Sequence, residues 1–377
     1  MTISGNVALL APIFWPFIGA FIAFLIGKKS KSGRDYFVKF VAVSTFVMML
    51  ALVFGGGADN APYFQITGFM GDLVHFRLDG IRAVYGLITA FMWMMTTLVS
   101  REYFTDYRNR NRYYLFSLIT LGGTMGVFFS ADLFTTFIFF EIMSIASYVM
   151  VVHDEKDKTL EAGRTYMAVA VIGGLALLFG ILLVNNTLGT TEITQIFPAM
   201  QAYDGSMGIL YLAGAMMLVG FGGKAGMYPL HIWLPNAHPV APAPASALLS
   251  GVLTKTGVFG LIITSLLLFN SDTNWGFLML NIGIVGMITG AGLALFSTDL
   301  KRTLAYSSVS QIGFIILGIG MANILIDFYN GYFHSLAIHG TMLHMVNHSL
   351  IKLLLFTEAK GSWTSTAVLL LCRAKGL

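Results

Sequence analysis

Charge is scarce in this chain. Lys, Arg, Asp and Glu make up 11% of its 377 residues, against about 25% in an ordinary soluble domain. Apolar residues make up 56%, and the mean hydropathy is +0.77, which is more apolar surface than a single buried core can use. The composition therefore excludes a soluble globular protein and predicts that lipid surrounds most of the chain.

Cysteine is nearly absent, because Cys372 stands alone. One cysteine excludes an internal disulfide framework, a Cys-ligated iron-sulfur cluster and a structural zinc site. We therefore expect no cofactor and no metal in this chain, and we place any electron transfer in a partner. The net charge of +4 does not indicate nucleic acid, because the Lys and Arg residues lie between apolar segments and form no basic face.

What the sequence does contain is a series of apolar runs, and about 20 apolar residues suffice to cross a bilayer. We predict an all-α polytopic membrane protein with about eleven transmembrane helices. The predicted spans cover residues 7–27, 38–57, 79–99, 113–129, 133–152, 165–186, 208–236 with a break, 245–269, 276–296, 303–325 and 336–357.

The basic residues alternate between the connections. The connections after the first, third, fifth and ninth helices hold five, four, three and two Lys or Arg residues, whereas those after even-numbered helices hold only Arg77. Positive residues stay on the cytoplasmic side of a membrane. This alternation predicts a multi-pass protein of the cytoplasmic membrane with its N-terminus outside.

Five of the nine prolines lie within sixteen residues, at Pro229, Pro235, Pro239, Pro242 and Pro244. Each proline removes a backbone donor and clashes with the preceding turn, so a continuous helix through this stretch is excluded. One interpretation is a proline-rich loop between the seventh and eighth helices. The other is a broken seventh helix of the kind found in transporters, and the nearby Lys224 favours it.

A shift of 167 residues aligns parts of the sequence with one another, including Gly123 with Gly290 and Asp132 with Asp299. The shift spans five helices, an odd number, so the two copies would lie in opposite orientations. Chance identity in a biased sequence is the alternative. We predict four regions: an N-terminal three-helix region (1–112), a first five-helix repeat (113–270), an incomplete second repeat (276–357) and an atypical tail (358–377).

Away from the ends of the predicted spans, four charged residues remain, Glu141, Lys224, Lys255 and Lys352, while Arg82 lies near a span end. A charge at the bilayer centre costs about 2.5 to 3.5 kcal/mol on insertion scales, so such residues must pair, hydrate or lose their charge. Glu141 is the natural partner of Lys224, and Lys255 has no available carboxylate. A fixed ion pair or a lysine that snorkels to the interface is the alternative to a functional role, above all for Lys352.

The eleventh predicted helix adds His344 and His348, which share one face with Lys352 at a spacing of four residues. Two histidines at this spacing could bind a metal, but no carboxylate accompanies them and a lysine would oppose a cation. Since histidine titrates near neutral pH, a proton relay is the better interpretation.

The charged residues lie in segments that resemble a known family. Lys224-Ala-Gly-Met-Tyr-Pro-Leu-His-Ile-Trp-Leu-Pro-Asn-Ala-His-Pro, followed by Gly251-Val-Leu-Thr-Lys-Thr-Gly, is similar to the signature of the antiporter-like subunits of respiratory complex I, Mrp antiporters and membrane-bound hydrogenases. Phe140-Glu-Ile-Met, the segment from Asp299 to Gly313 and His348-Ser-Leu-Ile-Lys resemble further segments of that family.

The resemblance implies roles for single residues. The fifth-helix glutamate (Glu141) pairs with the lysine of the broken seventh helix (Lys224), and the eighth-helix lysine (Lys255) bridges towards a twelfth-helix residue that has no candidate here. We add His348 and Lys352, and more weakly His231 and His238, to this proton relay. Family members usually have about fourteen helices, so we expect this chain to be a truncated or frame-shifted product.

The resemblance implies a proton-translocating subunit of a membrane-bound oxidoreductase in a prokaryotic inner membrane. The alternatives are a stand-alone or Mrp-type Na⁺(K⁺)/H⁺ antiporter subunit and an inactive membrane scaffold. The chain itself would carry no redox chemistry, so its status as an enzyme stays open. Expected partners are lipid, protons, Na⁺ as an alternative ion, and membrane subunits whose complex holds the iron-sulfur, NiFe, flavin or quinone chemistry. No nucleic acid is expected.

Overall fold

The computed structural model describes residues 2–55, 62–67, 74–105, 109–326 and 331–358. Helices dominate this part of the chain. They are α1 (Ala11–Lys29), α2 (Lys31–Gly55), α3 (Gly80–Tyr103), α4 (Arg110–Phe129), α5 (Leu133–Val151), α6 (Asp157–Leu188), α7 (Ile193–Gln201), α8 (Met207–Ala225), α9 (Trp233–Val240), α10 (Ala243–Leu248), α11 (Thr254–Ile263), α12 (Thr273–Leu295), α13 (Leu300–Ile324) and α14 (Tyr332–Glu358).

The mostly helical membrane fold is confirmed. Within the described ranges, nine helical segments are long and apolar enough to cross a membrane, with α8 and α9 counted as one and α10 and α11 as another. Helices α4 and α14, with 20 and 27 residues, are not among the nine. The prediction of a span therefore stays open for these two. Beyond Glu358, the predicted atypical tail lies outside the described residues.

A small antiparallel sheet joins the N-terminus to the connection between α2 and α3, and the sequence did not predict it. Its strands are β1 (Thr2–Gly5), β2 (Tyr63–Thr67) and β3 (Val74–Arg77), in that order. A bridge between Phe76 and Ser130 attaches β3 to the corner between α4 and α5. The N-terminus and the first two even-numbered connections therefore share one face, which we call the sheet face.

Basic residues gather at the opposite face. The Asp35 carboxylate lies 2.6 Å from the Arg34 guanidinium and 3.5 Å from that of Arg110, which joins the start of α2 to the start of α4. An ion pair between Arg112 and Glu155 adds the connection after α5. The alternation in the sequence thus separates the connections correctly, while the N-out orientation stays a prediction.

The two copies of the predicted repeat share a close helix contact at equivalent glycines. A side chain added at Gly123 would meet the backbone of Met143 at 3.0 Å, and one added at Gly290 would meet that of Ser310 at 2.5 Å. Both pairs are related by the same shift of 167 residues.

The corner between α4 and α5 lies on the sheet face. The corner between α12 and α13 lies on the opposite face, where the Lys301 ammonium donates to the Ala241 carbonyl between α9 and α10. The two copies are therefore inverted, while the predicted region boundaries stay predictions.

The predicted break in the seventh helix is confirmed. Helix α8 ends at Ala225, and Gly226 has a left-handed conformation (φ +77°) that an L side chain rarely adopts. A 3-10 turn (Leu230–Ile232) then leads into α9. The Trp233 indole N–H donates to the Gly223 carbonyl at 2.7 Å, which folds the second segment back against the first.

The eighth predicted span is also irregular, which the sequence did not predict. It consists of α10, a π-helical segment (Leu249–Leu253), α11 and a second π-helical segment (Thr264–Leu268). Residues 243–265 of this span are buried without interruption. This span is therefore the central element of the helical core, and it carries Lys255.

Candidate functional site

Lys224 lies in the last turn of α8, directly before the helix break, and its side chain is buried. Its ammonium donates a hydrogen bond to the Tyr166 hydroxyl at 2.8 Å. Tyr166 in turn is 2.6 Å from the Ser147 hydroxyl on α5. The Trp233 ring packs edge-on against Tyr166 at 5.0 Å. Lys224, Tyr166 and Ser147 thus form a hydrogen-bonded chain of three side chains.

Glu141 faces this group from α5, but the predicted direct ion pair with Lys224 is wrong. The ion pairs of the described chain, to a limit of 4.0 Å, do not include Glu141. Lys224 still lies within electrostatic reach of the carboxylate. Space for the carboxylate comes from Gly174 on α6, where an added Cβ would lie 2.4 Å from Glu141 Oε1.

A small cavity, with space for about one water molecule, opens beside Lys224. Its wall is formed by Phe140, Ser144, Tyr166, Val169, Ala170, Gly220, Gly223, Lys224 and Trp233. The hydroxyl of Ser144 and Oε1 of Glu141, on one face of α5, are buried and make no hydrogen bond to the described part of the chain. Since buried polar groups are normally paired, a single water molecule in this cavity is suited to hydrate Ser144 and Lys224.

Lys255 is fully buried on α11. Its ammonium is 2.7 Å from the carbonyl oxygen of Ser250 and 2.6 Å from Nδ1 of His348 on α14. The Thr254 hydroxyl lies further away, at 3.4 Å. These hydrogen-bond partners within the described ranges include no carboxylate. The structure instead pairs Lys255 with an imidazole that sequence reasoning placed in the relay without assigning it to this lysine.

The π-helical segment before α11 creates the acceptor for this lysine. In an α-helix the Thr254 N–H would bond to the Ser250 carbonyl, four residues earlier. Here it bonds to the carbonyls of Leu249 and Val252. The Ser250 carbonyl is left to accept from the Lys255 ammonium and, at 2.8 Å, from the Thr254 hydroxyl. Such segments often mark functional positions in helices.

Lys352 continues the same group on α14, one turn after His348. The alternative of a snorkelling lysine is wrong, because its side chain is only 2% exposed. The ammonium donates to the Leu304 carbonyl at 2.8 Å and to the Ser307 hydroxyl at 2.5 Å, both on α13. The His344 ring lies parallel to that of His348, with 6.5 Å between the ring centres.

The two weaker candidates separate. His238, on α9, is fully buried and stacks on Phe356 at 4.7 Å, one turn beyond Lys352 on α14. His231 is only partly buried and stacks on Tyr228. The structure therefore brings His238 close to the Lys352 end of the relay, whereas the ring contacts of His231 are with Tyr228 and, at 6.5 Å, Tyr306. Among the described residues, no group of three or more His, Cys, Asp or Glu side chains is placed to hold a metal ion.

Residues 130–367 match the membrane domain of the NADH:quinone oxidoreductase/Mrp antiporter family. The chain belongs to this family. All the predicted site residues lie inside the matched segment. The family match thus covers both buried lysines, the broken helix and the irregular eighth span.

Named relatives come from three kinds of complex. Hydrogenase-4 component B of Escherichia coli (strain K12) is 31% identical over 289 residues, which are 75% of this chain and 42% of that protein. A Na(+)/H(+) antiporter subunit of Alkalihalophilus pseudofirmus is 27% identical over 99% of this chain and 73% of its own length. An NADH-quinone oxidoreductase subunit of Pseudomonas aeruginosa is 29% identical over 91% and 69%.

Solved structures share the antiporter family fold. A chain of the Mrp complex from Dietzia sp. superimposes with a TM-score of 0.80 at 21% identity, over 93% of this chain and 63% of that one. A chain of the archaeal membrane-bound sulfane sulfur reductase gives 0.79 at 21%, over 93% and 70%. This chain therefore spans less than half of the hydrogenase component and about two thirds of the two structural neighbours.

Sequence reasoning missed one polar partner within this family site. Tyr166 is the hydrogen-bond acceptor of Lys224, and nothing in the sixth span distinguishes it beforehand. Ser308 lies 2.7 Å from the Ser250 hydroxyl, beside Lys255. Ser308 belongs to a polar run, Tyr306 to Gln311, that the sequence already marked as a possible proton path, and a shift of 167 residues from Glu141 leads to it.

Proposed function

We propose that this chain is a proton-translocating, antiporter-like subunit of a membrane-bound oxidoreductase of the NADH:quinone oxidoreductase or hydrogenase type. The observation that carries the proposal is a pair of buried lysines, Lys224 and Lys255, each hydrogen-bonded to a group that can accept or pass a proton. Buried ionisable residues in membrane helices mark ion pathways by default. An inactive scaffold has no need of them.

Proton transfer follows the hydrogen bonds at each lysine. At the first, the ammonium of Lys224 donates to the Tyr166 hydroxyl, and the Glu141 carboxylate lies within electrostatic reach. At the second, the ammonium of Lys255 can pass a proton to Nδ1 of His348 over 2.6 Å. Lys352, one turn further along α14, is the next proton carrier in the proposed relay.

The two lysines are coupled through direct helix packing. A Cβ added at Gly257 on α11 would lie 2.5 Å from the backbone nitrogen of Ala225, the residue after Lys224. Side chains at this contact would force the helices apart. Because the two helices touch at backbone distance, a change of charge at Lys224 alters the field at Lys255 with little intervening solvent.

Redox work belongs to partner subunits in this proposal. The relatives are named as components of a hydrogenase and an NADH-quinone oxidoreductase, and iron-sulfur, NiFe, flavin or quinone chemistry would lie in such partners. A second candidate is a Na⁺(K⁺)/H⁺ antiporter subunit in an Mrp-type complex. It is favoured by the match to the Na(+)/H(+) antiporter relative, which spans 99% of this chain.

The test is proton transport by the complex purified from native membranes and reconstituted into vesicles, with a pH-sensitive dye as the readout. Pumping driven by an electron donor supports the first candidate, and collapse of a pH gradient by added Na⁺ supports the second. Glu141→Gln should slow either activity by about 10²-fold. The matched control is Glu161→Gln, an exposed acid on α6, which should leave transport unchanged. Equal rates in the two variants would refute the role of Glu141.

A further inference from the structure

Three segments meet on the sheet face, beyond the lysine site. They are the end of β3, the corner between α4 and α5, and the connection between α6 and α7. The backbone nitrogen of Ala131 donates to the His75 carbonyl at 2.8 Å, and that of Ile193 donates to the Ala131 carbonyl at 2.9 Å. These hydrogen bonds bring His75, Asp132 and Glu192 together. The proposed relay uses none of the three.

Asp132 is the N-cap of α5, and its side chain is 4% exposed. Its carboxylate accepts from the Thr135 backbone N–H at 2.8 Å and from the Thr135 hydroxyl. These hydrogen bonds favour the ionised form, but burial outweighs them and raises the pKa of Asp132 to about 6. The carboxyl group therefore changes its protonation state within the physiological range.

The second copy of the repeat contains an aspartate with which the burial of Asp132 can be compared. Asp299, which is 167 residues later, caps α13 in the same way by accepting from the Arg302 N–H at 2.8 Å. Asp299 is exposed. Helix capping requires only an acceptor at this position, and Asp299 provides one although its side chain is exposed to solvent. The burial of Asp132 beside a histidine and a second acid is therefore not explained by capping.

His75 and Glu192 lie on the two segments whose backbones join the Asp132 corner, and both are more exposed than Asp132. Nδ1 of His75 lies 4.0 Å from the Glu192 carboxylate, and the two side chains are 11% and 38% exposed. Burial lowers the pKa of His75, Glu192 raises it, and the nearby Arg77 and Arg82 lower it. Arg82 itself is paired with Asp79. The exposed fraction thus rises stepwise from the buried acid through the imidazole to the outer carboxylate.

We propose that Asp132, His75 and Glu192 form a proton-binding site on the sheet face, through which protons pass between the buried start of α5 and water. Asp132 precedes Glu141 by nine residues on the same helix, about 13.5 Å along its axis. The direction of transport through the site rests on the proposed function. The binding of a proton by Asp132 does not.

The first arm of the test is a pH titration of the purified complex by infrared difference spectroscopy, which detects a protonated carboxylic acid directly. We expect an acid band that disappears as the pH rises through about 6, because Asp132 ionises there. The band should be missing in Asp132→Asn, which keeps a capping acceptor, and present in Asp299→Asn. The same band in Asp132→Asn would overturn the site.

The second arm is the transport rate as a function of pH on the sheet face of the reconstituted complex. Asp132→Asn and His75→Gln should slow transport by about tenfold and flatten its dependence around pH 6, whereas Asp299→Asn should not. Unchanged profiles in both variants would overturn the transfer role. If the wild-type complex moves no protons, the proposed function fails, while the infrared arm still decides whether Asp132 binds one.

Discussion

Lys224 and Lys255, two of the three buried lysines of the described chain, have different surroundings. Lys224 donates to a tyrosine hydroxyl, with the Glu141 carboxylate within electrostatic reach and a cavity beside it. Lys255 is fully buried in the helical core, and its ammonium is hydrogen-bonded to a backbone carbonyl and an imidazole. A nearby carboxylate stabilises an ammonium group, and neutral acceptors do so less. In the proposed relay, this difference would make Lys224 the site that retains a proton and Lys255 the site that transfers it.

The repeat explains how this difference arises. Ser308 occupies, in the second copy, the position that Glu141 has in the first. Its hydroxyl pairs with that of Ser250, whose carbonyl accepts from Lys255. One inverted plan therefore provides a carboxylate at one lysine and a hydroxyl at the other. Changes at Lys255, at Ser308 and at Gly174, which contacts Glu141, test this interpretation separately.

The largest effect is expected from Lys255→Met, which keeps the length of the side chain but removes its proton-carrying group. Transport should fall by about 10²-fold or more, because no other ammonium among the described residues is hydrogen-bonded to His348 Nδ1. The dye assay on reconstituted complex measures it. Lys158→Met, at an exposed position on α6, is the control. A Lys255→Met complex that transports as fast as this control would show that the second site carries no protons.

Ser308→Glu should have the next largest effect, because it gives the second site the acid of the first. A carboxylate beside Lys255 would hold its proton, so we expect transport to slow by about tenfold, a loss of one relay step. Ser308→Ala removes only one hydroxyl and should cost about twofold, as expected for one hydrogen bond of roughly 0.5 kcal/mol. Equal rates in the two assembled variants would remove the proposed contrast between the sites.

A smaller effect is expected at Gly174, where an added methyl group would lie 2.4 Å from Glu141 Oε1. Gly174→Ala should displace the carboxylate from Lys224 and slow transport by a few-fold, since a misplaced catalytic group loses rate. Gly292→Ala on α12 is matched, because a methyl group there meets nothing within 4 Å among the described residues. If Gly174→Ala behaves like Gly292→Ala, then the position of Glu141 is not critical.

Much of the fold could be predicted from the sequence because lipid imposes simple rules. Apolar length locates the spans, basic residues separate the connections, and clustered prolines end α8 near Lys224. The small sheet escaped prediction because β1 and β2 are separated by more than fifty residues, most of them helical. The π-helical segments around Leu249 and Thr264 escaped because their sequence is apolar and helix-compatible, and only packing sets their register.

The candidate site was only partly predictable, because the sequence locates charges within apolar segments but does not set how the helices pack around them. Charges such as Glu141 and Lys255 stand out because lipid excludes them, so their burial follows from the sequence. Their partners depend on how separate helices rotate against one another. The sequence favoured Glu141 as the partner of Lys224, but the structure places the Tyr166 hydroxyl there. It likewise places His348, 93 residues away, at Lys255.

The most direct test of the account is the proton-transport rate of a Lys224→Ala complex, measured after co-purification shows that its subunits are assembled. The account predicts that transport is abolished or strongly reduced, because Lys224 is the group that faces both Glu141 and Tyr166 at the helix break. A Lys224→Ala complex that is fully assembled and pumps at the wild-type rate would contradict it.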